Sequence, residues 1–245
     1  MVHKPTIYQI LRKAGVIYTR SDADELFRSQ KILVDGKLIS GLDYQCNPKK
    51  ATILVDGIPL PKPITFHYFM LHKPVGHVTS KERDRDKKNV MELIHEPTEV
   101  MNSLFPVGRL DFNSSGLLII TNDGDFAQQL LDPLNEIEKE YLVEINGILS
   151  AEDVDKIKNG FVILIRDLPY HTKPSEIYIK KEEKGNTTFT IILHEGKKRQ
   201  IREMMKTLGH EVISLKRIRM GNLHLGNLAV GEYRVFDPEL VATGK

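Results

Sequence analysis

Two short apolar segments flank a polar loop near the middle of the chain. Residues 104–107 and 117–120 are short apolar runs, which predict buried strands. The loop between them holds Arg109 and Asp111, a cation and a carboxylate two positions apart. A carboxylate held between buried strands suits nucleophilic or acid–base chemistry. The loop residues are also ordinary turn formers, so the pattern alone favours a plain turn in which the aspartate bonds a neighbouring backbone N–H.

The first sixty residues carry the pattern of a small, separate unit. Residues 6–14 place apolar side chains at helical spacing, and residues 21–28 predict a second helix with Ser21 as its N-cap. Asp-Gly pairs at positions 35–36 and 56–57 follow strand-like runs and predict tight hairpin turns. Two short helices and a small hairpin sheet are therefore expected in this segment.

Three prolines at alternate positions separate this unit from the rest of the chain. Pro59, Pro61 and Pro63 predict a stiff, extended linker, because proline fixes its own backbone and restricts the residue before it. The predicted division is a first domain over residues 1–60, a linker over 61–65 and a larger domain over 66–240.

Strand-like segments dominate the larger domain and do not alternate strictly with helices. Residues 66–72, 138–145 and 187–194 have the pattern of strands. A short helix is expected to begin with Asp125 as its cap, and another helix is expected over residues 196–209. This succession predicts an α+β fold with a mainly antiparallel, mixed sheet.

Composition restricts the classes of protein that the chain can belong to. It has 245 residues, of which 40% are hydrophobic, so a packed core is expected. The single cysteine, Cys46, excludes an intramolecular disulfide and any multi-cysteine zinc site. No apolar run approaches the roughly 18 residues of a membrane span, so a soluble, cytoplasmic protein is expected. The sequence has no His-Glu-x-x-His spacing and no glycine-rich phosphate loop, so neither a metal nor a cofactor is expected.

Positive charge is concentrated in parts of the chain. The net charge of the whole chain is only +2, which does not by itself indicate a nucleic-acid partner. Residues 196–219 contain eight Lys or Arg side chains against two Glu, and residues 1–60 contain nine against six Asp or Glu. The surplus over 196–219 predicts a phosphate-bearing partner, although an acidic protein could use the same surface.

Motifs in and around the polar loop resemble those of a known family of enzymes. The chain has Gly-Arg-Leu-Asp at 108–111, Ser-Gly-Leu-Leu at 115–118 and Thr-Asn-Asp-Gly at 121–124. Two further segments are Lys-Glu-Tyr-Leu-Val at 139–143 and Lys-Arg-Gln-Ile-Arg at 198–202. In combination these segments resemble the RsuA/RluB/RluE/RluF family of RNA pseudouridine synthases, and the resemblance extends over nearly the whole chain.

The resemblance implies catalytic roles for three residues. Asp111 matches the family's catalytic aspartate, a carboxylate that attacks the sugar or the base or stabilises positive charge on the sugar. Tyr141 matches a tyrosine that stacks on the target base and is a candidate base for removal of its C5 proton. Arg202 matches the basic residue that pairs with the aspartate. Without the resemblance, Tyr141 fits a packing tyrosine and Arg202 a surface arginine of a helix.

Residues that contact RNA are implied in the same way. Arg109 matches an arginine that lies near the flipped nucleotide, and Lys73 begins a Lys-Pro-x-Gly turn that also matches the family. The residues implied to bind RNA are Arg20, Lys73, Arg109, Lys198, Arg199 and Gln200.

Several positions of the N-terminal segment resemble an S4-type RNA-binding domain. They are Gly15, Thr19, Arg20 and Ala23, followed by residues 31–37. The usual Arg-Leu-Asp opening of that module is replaced by Pro-Thr-Ile at residues 5–7, a departure that predicts a weaker or altered contact with RNA.

The function implied is site-specific isomerisation of uridine to pseudouridine in ribosomal RNA, free or in an assembly intermediate, by a monomer without a cofactor. The order of the two domains is typical of members that act on ribosomal RNA. The basic run at 197–202 is closer to the large-subunit enzymes, which we prefer, whereas residues 68–74 are similar to the small-subunit enzyme. Two alternatives stay open: a non-catalytic RNA-binding or ribosome-assembly factor of the same fold and, less favoured, a hydrolase with an aspartate nucleophile.

Overall fold

The computed structural model describes residues 4–17, 20–29, 31–39, 41–48, 50–60, 65–81 and 86–241. The chain divides into two compact units, Met1–Thr65 and Phe66–Lys245. Residues 61–64 of the predicted linker lie outside the described residues, as does Thr19 among the S4-like positions. The identity of the first unit as an S4-type domain stays a prediction.

Two short helices open the first unit. Thr6 caps α1 (Ile7–Lys13) in a capping box, in which the Gln9 N–H donates to the Thr6 hydroxyl at 3.3 Å and the Thr6 N–H donates to the Gln9 side chain at 2.9 Å. The second helix, α2 (Arg20–Arg28), begins one residue before the predicted cap. Ser21 therefore lies inside the helix, and the prediction that it is the N-cap is wrong.

Two hairpins joined in one sheet complete the first unit. The strands are β1 (Ile32–Val34), β2 (Lys37–Leu38), β3 (Ile53–Val55) and β4 (Ile58–Pro59), in the antiparallel order β2-β1-β3-β4. Both predicted Asp-Gly turns are confirmed, because all four residues have positive φ angles, between 50° and 77°. The buried side chains of Leu11, Ile17 and Ile32 belong to the core of this unit.

Most strands of the second unit form one large sheet. The strands of this unit are β5 (Tyr68–Lys73), β6 (Phe105–Val107), β7 (Ser115–Thr121), β8 (Lys139–Asn146), β9 (Val162–Ile165), β10 (Leu168–His171), β11 (Glu176–Glu183), β12 (Asn186–Leu193), β13 (Val212–Met220), β14 (Leu223–His224) and β15 (Tyr233–Val235). The large sheet has the order β11-β12-β8-β13-β7-β5-β15, with β6 added to β7 and β14 to β13, while β9 and β10 form a separate hairpin. Among the described strands only β13 and β7 pair in parallel, so the predicted α+β fold with a mainly antiparallel sheet is confirmed.

The helices of the second unit are short. They are α3 (Thr98–Ser103), α4 (Gly124–Leu131), α5 (Ala151–Asn159) and α6 (Gln200–Thr207), with 3₁₀ turns at Val90–Leu93, Pro133–Asn135 and Pro238–Leu240. Asp123, not Asp125, caps α4, because its carboxylate accepts the Phe126 N–H at 3.1 Å. None of the described helices has the length and apolar character that a membrane crossing requires.

Helix α6 is shorter than the sequence pattern predicts. It begins at Gln200 and not at residue 196, because Arg199 has a left-handed backbone with φ of 56°. Such a conformation cannot continue a right-handed helix, so residues 196–199 form a loop in front of it. The basic residues of this loop are consequently held away from a regular helix face.

The polar loop of residues 108–114 connects β6 to β7, near the middle of the large sheet. Strand β5 pairs with β7 on one side and β13 pairs with it on the other. At the start of β7, Gly116 has a φ of 108°, and a Cβ atom added there would lie 2.2 Å from the backbone oxygen of Arg217. Only glycine permits this close approach of the two strands.

We expect Gly116→Ala to lower the free energy of unfolding by about 2–4 kcal/mol, since it combines a strained φ with a clash against backbone. Gly185→Ala is the matched control, because Gly185 also has a positive φ, of 80°, but has nothing within 4 Å of an added Cβ. Urea unfolding followed by circular dichroism measures both variants. Equal losses in the two would show that the contact with Arg217 does not determine the effect.

Candidate active site

The loop of residues 108–114 is fixed by contacts on both sides of Asp111. The Leu110 side chain is buried in an apolar cluster of the second unit. Its backbone is held by Thr79, whose hydroxyl donates to the Leu110 carbonyl at 2.8 Å and accepts the Leu110 N–H at 3.3 Å. The Ser114 N–H donates to the Asp111 carbonyl at 3.0 Å, which closes a turn. The backbone on both sides of Asp111 is therefore anchored.

A buried lysine ties this loop to the end of strand β5. Lys73 has no exposed surface, and its ammonium donates to the carbonyls of Pro74 at 3.0 Å, Asp111 at 3.0 Å and Ser114 at 2.7 Å. Burial lowers the pKa of Lys73 to about 8, while the charge of Asp111 acts to raise it. Because all three N–H groups are used inside the protein, a contact with RNA would have to replace one of these bonds, and the RNA contact of Lys73 stays a prediction.

The turn that follows Lys73 holds the same loop at a further point. The Gly76 N–H donates to the carbonyl of Phe112 at 2.9 Å. The Lys-Pro-x-Gly turn at 73–76 therefore binds the carbonyls of three loop residues, Asp111, Phe112 and Ser114. Its role in this structure is to position the loop.

Asp111 and Tyr141 line the same cavity, of about 370 Å³. Asp111 is half-buried, and its carboxylate makes no hydrogen bond or salt bridge with any residue in the described ranges. The Tyr141 hydroxyl likewise has no hydrogen-bond partner within the described part of the chain. Apolar side chains complete the lining at Leu110, Leu193, Ile201 and Leu215. A carboxylate and an aromatic ring thus face a partly apolar space of the size that ligand pockets have.

Tyr141 is positioned by the large sheet. It lies on β8, opposite Ile191 of β12 on one side and Arg217 of β13 on the other. Its ring packs against two buried apolar clusters of the second unit. Tyr141 therefore packs on the core and also lines the cavity, and its role as a site residue stays a prediction.

Five cations line this cavity, against Asp111 as its one lining carboxylate. They are Arg109, Arg166, Lys197, Lys198 and Arg199. None of the five makes a salt bridge with another described residue. By contrast, Arg219 outside the cavity contacts Glu138 and Glu140 at 2.8 Å each. The cavity is consequently a region of uncompensated positive charge, which favours an anionic ligand.

Arg202 does not pair directly with Asp111. Its guanidinium donates to the carbonyls of Asn113 at 2.8 Å and Val212 at 3.2 Å. Within the described ranges no salt bridge joins it to Asp111, so the predicted ion-pair contact is absent here. Burial and the nearby Arg199 lower the pKa of Arg202, and the charge of Asp111 opposes them. Arg202 therefore acts on the carboxylate at longer range and supports the loop through Asn113.

A buried carboxylate organises the basic loop in front of α6. Glu195 accepts hydrogen bonds from the Tyr170 hydroxyl, the Lys173 N–H at 3.1 Å and the Gln200 side-chain amide at 2.5 Å. The other end of the Gln200 amide accepts the Lys197 N–H at 3.1 Å. Gln200 is only 3% exposed and its amide is bonded at both ends, while the residue still lines the cavity, so its contact with RNA stays a prediction. It shapes the loop that carries the cations.

Sequence reasoning missed one cation of the cavity. Arg166 lies in the two-residue turn between β9 and β10, where Arg166 and Asp167 have φ angles of 53° and 64°. The signal was present, because apolar residues flank this polar pair, but non-glycine residues rarely adopt such turns. The other predicted RNA contacts, Arg109, Lys198 and Arg199, are exposed at the cavity, and Arg20 is exposed on α2 of the first unit.

A family model described as RNA pseudouridylate synthase matches residues 67–207, more than half of the chain. The chain belongs to this family. It is an RNA pseudouridine synthase, an isomerase that acts on RNA. The matched segment includes the loop of Asp111, Tyr141 and all of α6. Two of the three residues that the resemblance implies to be catalytic, Asp111 and Tyr141, line one cavity in the structure.

Similar proteins cover nearly the whole chain. An uncharacterized RNA pseudouridine synthase from Aquifex aeolicus is 36% identical, with 93% of this chain and 88% of that one aligned. Ribosomal large subunit pseudouridine synthase B of Bacillus subtilis is 34% identical, with 96% of this chain and 93% of that one aligned. Ribosomal small subunit pseudouridine synthase A of Yersinia pestis is 31% identical, with 88% of each aligned. A crystal structure of a pseudouridylate synthase, 26% identical, matches with a TM-score of 0.66 over 96% of this chain and 97% of that one.

We expect Lys73→Met to reduce the turnover of RNA by about tenfold or more, because small misplacements of a reactive group are costly. RNA affinity should stay within about twofold, since the ammonium is buried and makes no outward contact. Lys156→Met removes the same charge from an exposed site on α5 and should change neither quantity. Single-turnover kinetics and filter binding separate the two effects. A loss of RNA affinity with normal turnover would show instead that Lys73 contacts the RNA.

Proposed function

We propose that this enzyme converts a specific uridine of ribosomal RNA to pseudouridine, with large-subunit RNA as its substrate. The observation that carries the proposal is that Asp111, from a loop, and Tyr141, from a strand, line one cavity together with five cations that form no salt bridge with the described residues. The large-subunit enzyme of Bacillus subtilis is more similar to this chain than the small-subunit enzyme of Yersinia pestis. That difference supports the choice of large-subunit RNA.

The dimensions of the cavity favour a single flipped nucleotide. A volume of about 370 Å³ accommodates one base with its ribose and excludes a stacked base pair. A uridine inside a helix cannot bring its glycosidic bond to Asp111, so the target nucleotide must leave the stack. The apolar lining and the ring of Tyr141 replace the stacking that the base loses.

The reaction rearranges one nucleotide without a co-reactant. The N1–C1′ bond breaks, the base rotates, a C5–C1′ bond forms, the proton of C5 is removed and N1 receives a proton. Asp111 attacks either C1′ of the ribose or C6 of the base. On the first route the new C5–C1′ bond displaces the carboxylate from C1′, and on the second the carboxylate leaves C6 as the C5 proton is removed. Tyr141 stacks on the base, and its hydroxyl, which no described residue engages, is our candidate for accepting the C5 proton.

Cations at the cavity serve both the RNA and the carboxylate. A bound nucleotide displaces water, which raises the cost of keeping Asp111 ionised. Arg202, at longer range, and the lining cations offset this cost. Arg109, Lys198 and Arg199 are exposed and unpaired among the described residues, so they are available to the phosphates on either side of the flipped uridine.

We expect Asp111→Asn to reduce pseudouridine formation at least about 1,000-fold, because it removes the nucleophile but keeps the shape of the side chain. Affinity for the RNA should change less than about threefold, since the phosphates provide most of the binding energy. The assay uses unmodified large- and small-subunit ribosomal RNA, and the product is mapped to a position.

Three outcomes of this assay would contradict the proposal. RNA binding without product, on free RNA and on assembly particles alike, would favour a non-catalytic factor. Product confined to small-subunit RNA would support the isomerisation but overturn large-subunit RNA as the substrate. Equal turnover by wild type and Asp111→Asn would exclude Asp111 as the nucleophile.

The two roles of Tyr141 are separable by substitution. We expect Tyr141→Phe to lose about 100-fold or more in turnover, the scale of a missing general base, with unchanged affinity. Tyr141→Leu should in addition lose about 1–3 kcal/mol of binding from the absent ring. Single-turnover rates and binding constants measure both variants. Normal turnover by Tyr141→Phe would exclude the hydroxyl as the base and leave stacking alone.

A further inference from the structure

A second depression, of about 380 Å³, lies directly beside the cavity of Asp111. Its lining residues come from the β9–β10 hairpin and from α6 with the loop before it: Leu164, Arg166, Asp167, Lys198, Arg199, Glu203, Lys206 and Thr207. Arg166, Lys198 and Arg199 line both spaces. The two depressions are therefore neighbouring parts of one surface, separated by three shared cations.

The net charge of this second depression is positive. Arg166, Lys198, Arg199 and Lys206 provide four cations against Asp167 and Glu203. In the described part of the chain, none of the four makes a salt bridge, although two carboxylates lie in the same depression. Cations that are gathered without direct partners repel one another, and an anion bound between them relieves that repulsion.

An apolar side chain shares this charged space. Leu164 is 54% exposed, and Val162, two positions earlier on the same strand, is also 54% exposed. Strand residues two apart lie on the same face, so the hairpin presents an apolar strip that leads to the cations. Anionic and apolar surface occur together in a nucleotide, which has a phosphate beside a sugar and a base.

We infer that this depression is a second nucleotide site, which holds the phosphate and ribose of a nucleotide adjacent to the target uridine. The inference rests on the proposed function, because it requires a uridine in the cavity of Asp111. The RNA backbone is continuous, so the backbone that joins the flipped nucleotide to its neighbours must cross the rim of the cavity. The shared cations at Arg166, Lys198 and Arg199 occupy that rim, and Lys206 lies beyond it.

Lys206 is the residue that tests this site, because it lines the second depression and not the cavity of Asp111. We expect Lys206→Ala to raise KM about three- to tenfold with unchanged kcat. Glu203→Gln removes a negative charge from the same depression and should lower KM. Lys156→Ala, on the exposed face of α5, is the control for loss of one surface charge and should leave KM unchanged.

A chemical change in the RNA locates the contact. The substrate is the RNA fragment in which the wild-type product has been mapped, with single phosphates near the target replaced by neutral methylphosphonates. At the phosphate that occupies the depression, the methylphosphonate should weaken RNA binding by the wild type severalfold. The same methylphosphonate should change RNA binding by Lys206→Ala less than twofold. At the other linkages, the methylphosphonate should weaken RNA binding by the same factor in the wild type and in Lys206→Ala.

The outcomes separate this inference from the proposed function. Wild-type conversion of the unsubstituted RNA is measured first, and its absence would overturn both. Normal conversion with independent effects at every linkage would show that Lys206 provides only general attraction, and the second site would be excluded. An unchanged or higher KM for Glu203→Gln would also count against it.

Discussion

The buried ammonium of Lys73 is the contact on which the candidate active site depends most. Removing a charge from water costs several kcal/mol unless hydrogen bonds replace the lost hydration. Here three carbonyls do so, two of them from Asp111 and Ser114 of the same loop. Because breaking any one of them would leave a buried charge poorly solvated, the loop has one favoured conformation. Lys73 therefore fixes the position of Asp111 through the backbone carbonyl, and the Asp111 carboxylate stays available to a ligand.

Other close contacts extend this constraint into the sheet. The loop continues into β7, where Gly116 permits β13 to approach at the distance of a strand pair. Strand β13 also pairs with β8, which presents Tyr141 at the cavity. On the opposite side, Glu195 and Gln200 hold the basic loop before α6. Rigid elements thus support each of the groups that we propose for the reaction, while the Asp111 carboxylate and the Tyr141 hydroxyl carry no internal partner in the described residues.

The cations of the second unit differ in their ion pairs. Arg219 forms ion pairs with Glu138 and Glu140, and Lys173 forms an exposed ion pair with Glu136. The cations at the two neighbouring depressions have no such partners among the described residues. A net charge of only +2 conceals this asymmetry, because acidic residues elsewhere balance the basic surface without neutralising it locally.

The sequence predicted most strands and the family, and it singled out Asp111 and Tyr141, which line one cavity, because apolar runs and short motifs depend on neighbouring positions. It did not predict the burial of Lys73 or Gln200, because each is satisfied by groups that come from other parts of the fold. The start of α6 was misplaced for a related reason: the Glu195–Gln200 contact stabilises a loop where propensity favours a helix. Arg166 was missed because the β9–β10 turn lacks the glycine that usually marks such hairpins.

The central claim is that Asp111 and Tyr141 receive a uridine flipped out of ribosomal RNA. A crystal structure of the Asp111→Asn variant with an RNA that contains the mapped target tests it most directly. We expect the target base to lie against the ring of Tyr141, with its C1′ or C6 atom roughly 3–3.5 Å from the side chain at position 111. A target uridine that remains stacked in its helix, or that binds outside this cavity, would contradict the account.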